Sequence, residues 1–118
     1  MEHNELKGDH REFFSTLGNL SRLAIVQLLR RHAATVSQIA ETLNFEQSRV
    51  SHSLARLQRA GLVTCRWEDK RKMFHLSEDV APVLRDIDLY LEHRTKPARP
   101  DAQRTWPNGA AWAAASSD

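Results

Sequence analysis

Apolar side chains recur every three or four residues through most of the first sixty positions, which is the spacing of one face of an α-helix. Neither glycine nor proline occurs in residues 19–60, so we expect this stretch to be almost entirely helical. The pattern predicts four helices. The first is short and ends near Gly18, the second can be capped by Ser21, and the third and fourth cover residues 36–43 and 47–60.

The pattern changes from helical to strand-like after Gly61, which stands where a helix C-cap glycine belongs. Residues 62–67 and 72–76 read as two short strands, joined by a charged hairpin tip over residues 68–71. Asp69 is the tip residue that best tolerates a left-handed conformation. A last helix is predicted to begin within residues 77–79, with Pro82 in its first turn. Thr35 and Gln38 form a capping-box pattern before the third helix.

The length of 118 residues suits one domain with a tail, and the composition, 41% hydrophobic and 27% charged, suits a globular protein. We expect a flexible N-terminus over residues 1–8, a folded domain over 9–94, and a disordered Pro/Ala-rich tail over 95–118. Trp106 and Trp112 in this tail either dock on a surface or are tolerated in a mobile segment. No apolar run can cross a membrane and the first residues do not resemble a secretion signal, so a cytoplasmic location is expected.

Basic side chains concentrate in one part of the chain. Residues 47–76 carry seven Lys/Arg and two Asp/Glu, whereas residues 1–46 carry five and six, and residues 77–94 carry two and five. A local excess of positive charge between acidic neighbours is typical of a protein that binds a polyanion. A solvated surface without a partner would give the same charge pattern.

The order of elements, with three helices before a fourth, a hairpin and a last helix, predicts a mainly α fold with a small β-hairpin, the winged helix-turn-helix. In a winged helix-turn-helix that binds DNA, one helix recognises the bases, and it must fit the major groove of B-DNA with polar and cationic side chains on one face. The fourth helix meets this requirement, because Val50, Leu54 and Leu57 face inward. We expect Arg49 to read a guanine, Gln47 to pair with adenine, and the hairpin tip to contact phosphate or the minor groove. The predicted DNA-binding residues are Gln47, Ser48, Arg49, Ser51, His52, Arg56, Lys70, Arg71 and Lys72, with Arg59 as a further backbone contact.

Five segments occur in a fixed order along the chain: residues 17–25 at the start of the second helix, residues 37–43 in the third, residues 48–57 in the fourth, residues 60–63, and residues 74–76 after the basic tip. Together they resemble the ArsR/SmtB-type family of winged helix-turn-helix repressors. The resemblance covers about residues 10–94. It implies a homodimer, paired through its first and last helices, that binds a palindromic operator in double-stranded DNA and is released by a signal. The dimer-interface residues expected on this basis are Phe13, Phe14, Val83, Leu84, Ile87 and Leu91.

The sequence departs from the family pattern at three places. Glu46 stands where the family often has serine, which weakens the helix cap and puts an anion near the DNA. The usual glycine of the wing is replaced around Asp69. The residues of the two common metal sites are missing, because the third-helix cysteine pair is replaced by Thr35 and Ser37 and the last helix has Asp88 in place of a histidine. The sequence therefore predicts no metal at either site and no cofactor.

The signal, whether a small inducer, a metal, an oxidant or a protein partner, is not predicted by the sequence. Cys65 is either a thiol switch or an inert strand cysteine, and a single cysteine excludes an intrachain disulfide. His3 with a free amine can chelate Cu(II) or Ni(II), or it belongs to a disordered end. His10 and His93 can approach each other across a dimer of terminal helices and there form a candidate inter-subunit metal site.

Two other functions remain compatible with the sequence. The first is a DNA-binding regulator without an effector, controlled by its own level or by a partner protein. The second is a winged helix used as a protein-interaction module, with the acidic last helix and the tail as binding surfaces. An enzyme is not expected, because no nucleophile–base pair, phosphate loop or metal triad has suitable spacing.

Overall fold

The computed structural model describes residues 8–95, and within them the chain forms five helices and one hairpin. This is the winged helix-turn-helix predicted from the sequence. The expected flexible N-terminus over 1–8 and the tail from 95 onward, with Trp106 and Trp112, lie almost wholly outside the described residues. A first compact unit ends at Ser77 and a second begins at Glu78. The elements are α1 (Gly8–Leu17), α2 (Leu20–Arg31), α3 (Val36–Leu43), α4 (Gln47–Arg59), β1 (Val63–Glu68), β2 (Arg71–Leu76) and, in the second unit, α5 (Ala81–Thr95).

The core of the first unit lies between α2, α3 and α4 and extends to the base of the hairpin. Val50, Leu54 and Leu57, which the helical period placed on the inner face of α4, are all buried. Close packing of such side chains fixes the orientation of α4 and leaves its other face to solvent. The remaining apolar core residues of this unit are Ile25, Val26, Leu28, Leu29, Ala34, Ile39, Ala40, Leu62, Val63 and Phe74.

Side-chain hydrogen bonds define where α2 and α3 begin. The capping box of α3 is confirmed. Thr35 Oγ1 accepts a hydrogen bond from the backbone N–H of Gln38 at 3.1 Å, and Gln38 Oε1 accepts one from the backbone N–H of Thr35 at 2.9 Å. The cap of α2, in contrast, is Asn19 and not Ser21. Asn19 has extended backbone angles and its Oδ1 accepts from the Arg22 amide at 3.0 Å. The Ser21 hydroxyl is engaged elsewhere, by a side chain of α4.

Arg22 joins the end of α1 to the start of α2. Its Nε donates to the Thr16 carbonyl at 2.8 Å and its Nη2 donates to the Ser15 carbonyl at 3.4 Å, and both carbonyls belong to the last turn of α1. A cation at a helix C-terminus is stabilised by the macrodipole. Burial and then the nearby Arg56 lower the pKa of Arg22, whereas Glu12 opposes the shift.

A tight two-residue turn closes the hairpin. β1 and β2 pair antiparallel with Glu68 opposite Arg71, and both Asp69 and Lys70 have positive φ, at 52° and 65°. The left-handed conformation predicted for Asp69 is confirmed and extends to Lys70. Near its base the hairpin is fixed to the segment that follows α2, because Ala34 and Phe74 exchange two backbone hydrogen bonds of 3.1 and 2.8 Å.

In the second unit, α5 carries its proline at the second helical position, as expected for a residue without an amide proton. Val80 and Leu84 are buried. Leu84, which was expected in the dimer interface, is only 7% exposed in the single chain and so offers little surface to a partner. The other large apolar side chains of α5 are exposed, namely Val83, Ile87, Leu89, Tyr90 and Leu91.

Thr16 on α1 is fully buried, and its hydroxyl has no hydrogen-bond partner in the described part of the chain. A buried hydroxyl without a partner destabilises the folded state by roughly 1 kcal/mol or more. We therefore expect Thr16→Val, which keeps the side-chain shape, to raise the free energy of unfolding by about 1 kcal/mol and the melting temperature by roughly 4 °C. Thermal unfolding followed by circular dichroism measures this change. Thr16→Ser is the control and should lower stability, because it keeps the hydroxyl and loses the methyl group.

Candidate nucleic-acid interface

The outer face of α4 is a polar surface opposite the core. Ser48, Ser51 and His52 are all exposed, and the helical period places Ala55 and Arg59 on the same face. Short hydroxyl and imidazole side chains on a helix of this diameter can approach base edges or phosphates closely. The structure thus brings three of the predicted DNA-binding residues together on one exposed face.

Arg49 lies at the side of this face, and its guanidinium is held in place. Nε and Nη2 donate to the Ser21 hydroxyl at 3.1 and 2.7 Å, and the guanidinium carbon lies 4.0 Å from the centroid of the Phe45 ring. The Arg49 side chain nevertheless remains exposed. A guanidinium has five N–H donors, so this arrangement leaves donors for a further partner while it restricts the side chain. Sequence reasoning identified Arg49 but neither of its two partners.

The N-terminal end of α4 is connected to α3 by a side-chain contact. Gln47 Nε2 donates to the Ser37 hydroxyl at 3.3 Å. Glu46 is the N-cap residue of α4 and makes no side-chain cap hydrogen bond, as its departure from serine predicted. The amides of the first turn of α4 therefore have no side-chain cap.

Arg56, predicted to meet the DNA backbone, faces α1. Its Nε lies 3.7 Å from Glu12 Oε2, and its side chain is half-buried. A partly exposed ion pair of this kind contributes little to stability. It does place Arg56 away from the outer face of α4, and Arg59 is the cation near the end of α4 that is exposed.

The hairpin, hereafter the wing (residues 63–76), presents its predicted cations at the tip. Lys70, Arg71 and Lys72 are all exposed. Lower on the wing, His75 Nε2 lies 2.9 Å from Glu68 Oε2, with Arg66 Nε at 3.8 Å from the same oxygen. These contacts engage the Glu68 carboxylate.

The two faces of the wing differ in character. Strand alternation and the register place Cys65, Trp67, Lys72 and Phe74 on one face and Arg66, Glu68 and His75 on the other. Cys65 is half-buried and lies opposite the buried Phe74. Trp67 is 70% exposed, and sequence reasoning treated it only as part of a strand. Its position two residues before the hairpin turn was the sequence signal that could have predicted this exposure.

No group of three or more His, Cys, Asp or Glu side chains that could hold a metal ion occurs within residues 8–95. His3 lies outside this range. Over the same range, none of the helices has both the length and the apolar character needed to span a membrane.

Comparisons with known proteins agree with this geometry. Residues 20–64 match the model of the arsR family of bacterial regulatory proteins. The chain is 26% identical to the homodimeric winged helix-turn-helix DNA-binding domain of Mb0332 from Mycobacterium bovis, a possible ArsR-family transcriptional regulator, with a TM-score of 0.72 over 84% of this chain and 94% of that one. It is also 26% identical to HlyU from Vibrio cholerae, with a TM-score of 0.64 over 80% of this chain and 100% of that one.

A third similar structure is Rv0081 from Mycobacterium tuberculosis, which is 25% identical with a TM-score of 0.63, covering 73% of this chain and 87% of that one. A search among curated proteins found no significant match.

Proposed function

We propose that this chain, an ArsR-family winged helix-turn-helix transcriptional regulator, works as a homodimeric repressor that binds a palindromic operator and leaves it in response to a signal. The observation that carries this proposal is the pairing of two surfaces in the first unit. One is the polar outer face of α4, and the other is the wing tip with three exposed cations. A helix in the major groove with a basic wing on the adjacent backbone uses both surfaces at once.

The division of roles between these surfaces follows from their chemistry. Arg49 has the planar fork that matches guanine O6 and N7, and its contacts with Ser21 and Phe45 restrict it before DNA arrives. Ser48, Ser51 and His52 supply short polar contacts. The wing cations contact phosphate and add affinity without sequence preference.

A homodimer is supported by the exposed apolar side chains on the terminal helices. Phe14 on α1 is 63% exposed, and α5 exposes Val83, Ile87 and Leu91. Exposed large apolar side chains on each of these helices are typical of a protein contact. The similar domain of Mb0332 is homodimeric. A two-fold dimer presents two α4 helices, which is the reason for expecting a palindromic operator.

The releasing signal acts through groups other than the two family metal sites, because Thr35, Ser37, Asp86 and Asp88 occupy those positions. Thiolate and imidazole ligands suit the transition metals that such sites bind, and these four residues supply neither. A small inducer, a metal bound at another site, an oxidant acting at Cys65 and a partner protein are the remaining classes of signal.

The test of the proposed function is the loss of base preference in Arg49→Ala. Duplexes selected from a random pool by the reduced, metal-free protein define the operator, and fluorescence anisotropy measures affinity for it and for scrambled DNA. We expect Arg49→Ala to lower operator affinity by about 1–3 kcal/mol and to relax base preference at one position of each half-site. Arg31→Ala, which removes an exposed arginine at the end of α2, is the control and should leave both properties unchanged.

Two results would contradict this proposal, the first in the role of Arg49 and the second in the function itself. Equal loss of affinity for operator and scrambled DNA in Arg49→Ala would remove Arg49 from base readout. If the native protein selects no sequence and Arg49→Ala changes nothing, the protein-interaction module becomes the better description, because that function does not use the outer face of α4.

A further inference from the structure

Trp67 is a large apolar side chain at an exposed position near the tip of the wing. It is the penultimate residue of β1 and is 70% exposed. An isolated exposed apolar residue needs no explanation, but an indole has far more surface than most and is enriched where it contacts a partner. The side chain lies in the part of the chain that the proposed function places against DNA.

The register of the hairpin defines the immediate surroundings of Trp67. Lys72 lies directly opposite it on β2. Cys65 and Phe74, the next pair toward the base on the same face, are half-buried and buried. One face of the wing therefore runs from the core outward to an exposed indole that is flanked by a cation.

The charges around Trp67 favour a polyanion as its partner over the wing of a second copy of this chain. Lys72 lies opposite Trp67 on the same face, Lys70 and Asp69 form the turn beyond it, and Arg71 lies opposite Glu68 on the other face. Glu68, the adjacent carboxylate, points to the other face and is engaged by His75 and Arg66. Two such wings would repel each other, whereas a DNA backbone would be attracted to both.

We propose that Trp67 packs its indole against deoxyribose rings along the wall of the DNA minor groove that adjoins the major groove occupied by α4. This inference rests on the proposed function and adds an apolar contact to it. The apolar faces of the sugars line the minor groove, and proteins commonly place apolar side chains there beside basic ones. Cations at the tip hold the phosphates on either side while the indole covers the sugars between them.

The experiment uses the full chain with Trp106→Phe and Trp112→Phe, so that Trp67 is the only tryptophan. Acrylamide, a neutral quencher, reports the accessibility of the indole with and without a 20-base-pair mixed-sequence duplex at low salt. A labelled duplex reports binding in parallel. We expect the acrylamide quenching constant to fall at least about two-fold when the duplex is bound, because the indole becomes covered.

Affinity measurements on variants separate an apolar contact from an electrostatic one. Trp67→Ala should weaken mixed-sequence DNA binding about ten-fold without changing the dependence of log K on log salt, because burial of apolar surface releases no counterions. Trp67→Phe should retain most of the affinity. Lys72→Ala should instead flatten the salt dependence by about one unit. Circular dichroism of Trp67→Ala should show an unchanged melting temperature, as expected for an exposed side chain.

Each other outcome overturns the inference in a recognisable way. An unchanged quenching constant on a bound duplex would leave the proposed function standing and remove Trp67 from the interface. Shielding that persists on an AT-rich duplex saturated with netropsin, a minor-groove ligand, would exclude the minor groove. Shielding in free protein that increases with concentration would assign Trp67 to a contact between copies. A duplex that does not bind at all would defeat the proposed function itself.

Discussion

Replacing Lys70, Arg71 and Lys72 together by alanine is expected to lower DNA affinity about 100-fold for each half-site at physiological salt, on operator and scrambled sequences alike. The three side chains are exposed at the wing tip. A cation that meets a phosphate releases about 0.9 counterions from B-DNA, so the slope of log K against log salt should flatten by about 2.7 for each protomer. Anisotropy titrations at several salt concentrations measure both quantities.

The control for this variant is Arg30→Ala together with Arg31→Ala, which removes two cations from the last turn of α2. That change should leave the salt slope unaltered, since α2 belongs to neither proposed DNA-binding surface. An equal flattening in both variants would mean that overall charge, and not the wing, attracts DNA. An operator-only loss in the wing variant would mean that the wing reads bases.

A carboxylate at position 87 is expected to convert the protein to a monomer. Ile87 is an exposed apolar residue of α5, and Val83 one turn before it is exposed as well. A charge left unpaired in a protein interface costs about 3–5 kcal/mol, so Ile87→Asp should raise the dimer dissociation constant at least about 100-fold. Sedimentation equilibrium measures the constant. Operator binding should fall with it, because a monomer occupies only one half-site.

The matched control is Arg85→Asp, which places a carboxylate on the same helix about 160° around its axis from position 87. It should leave the dimer intact. If Ile87→Asp still sediments as a dimer, α5 does not form the interface. The exposed apolar side chains of α1, including Phe14, would then be the next region to test.

The fold was predictable because its signals are local. The capping box at Thr35 and Gln38, the glycine after α4 and the switch from helical to alternating periodicity each act within a few residues. The helical period also placed Val50 on the correct face. The prediction that Ser21 caps α2 was wrong. Asn19 and Ser21 are both good capping residues, and the Ser21 hydroxyl is instead bound by the Arg49 side chain of α4.

The candidate interface was predictable in its residue types but not in its contacts. Arg56 has the same charge as Arg59, and only the approach of α1 shows that Arg56 pairs with Glu12. The contact of Arg49 with Ser21 joins residues 28 positions apart. Such pairings depend on how helices pack, which periodicity does not specify. Strand alternation alone could have placed Trp67 and Lys72 on one face once the register was known.

The two backbone hydrogen bonds between Ala34 and Phe74 have a consequence for motion in the wing. They fix the base of the hairpin to a rigid core, while the tip residues beyond it are exposed on both strands. The amplitude of backbone motion in the wing should therefore increase from its base toward Asp69. Amide hydrogen exchange should be slowest at Phe74 and accelerate with distance from it. This increase in mobility lets the tip follow local variation in groove width while α4 stays in register with the bases.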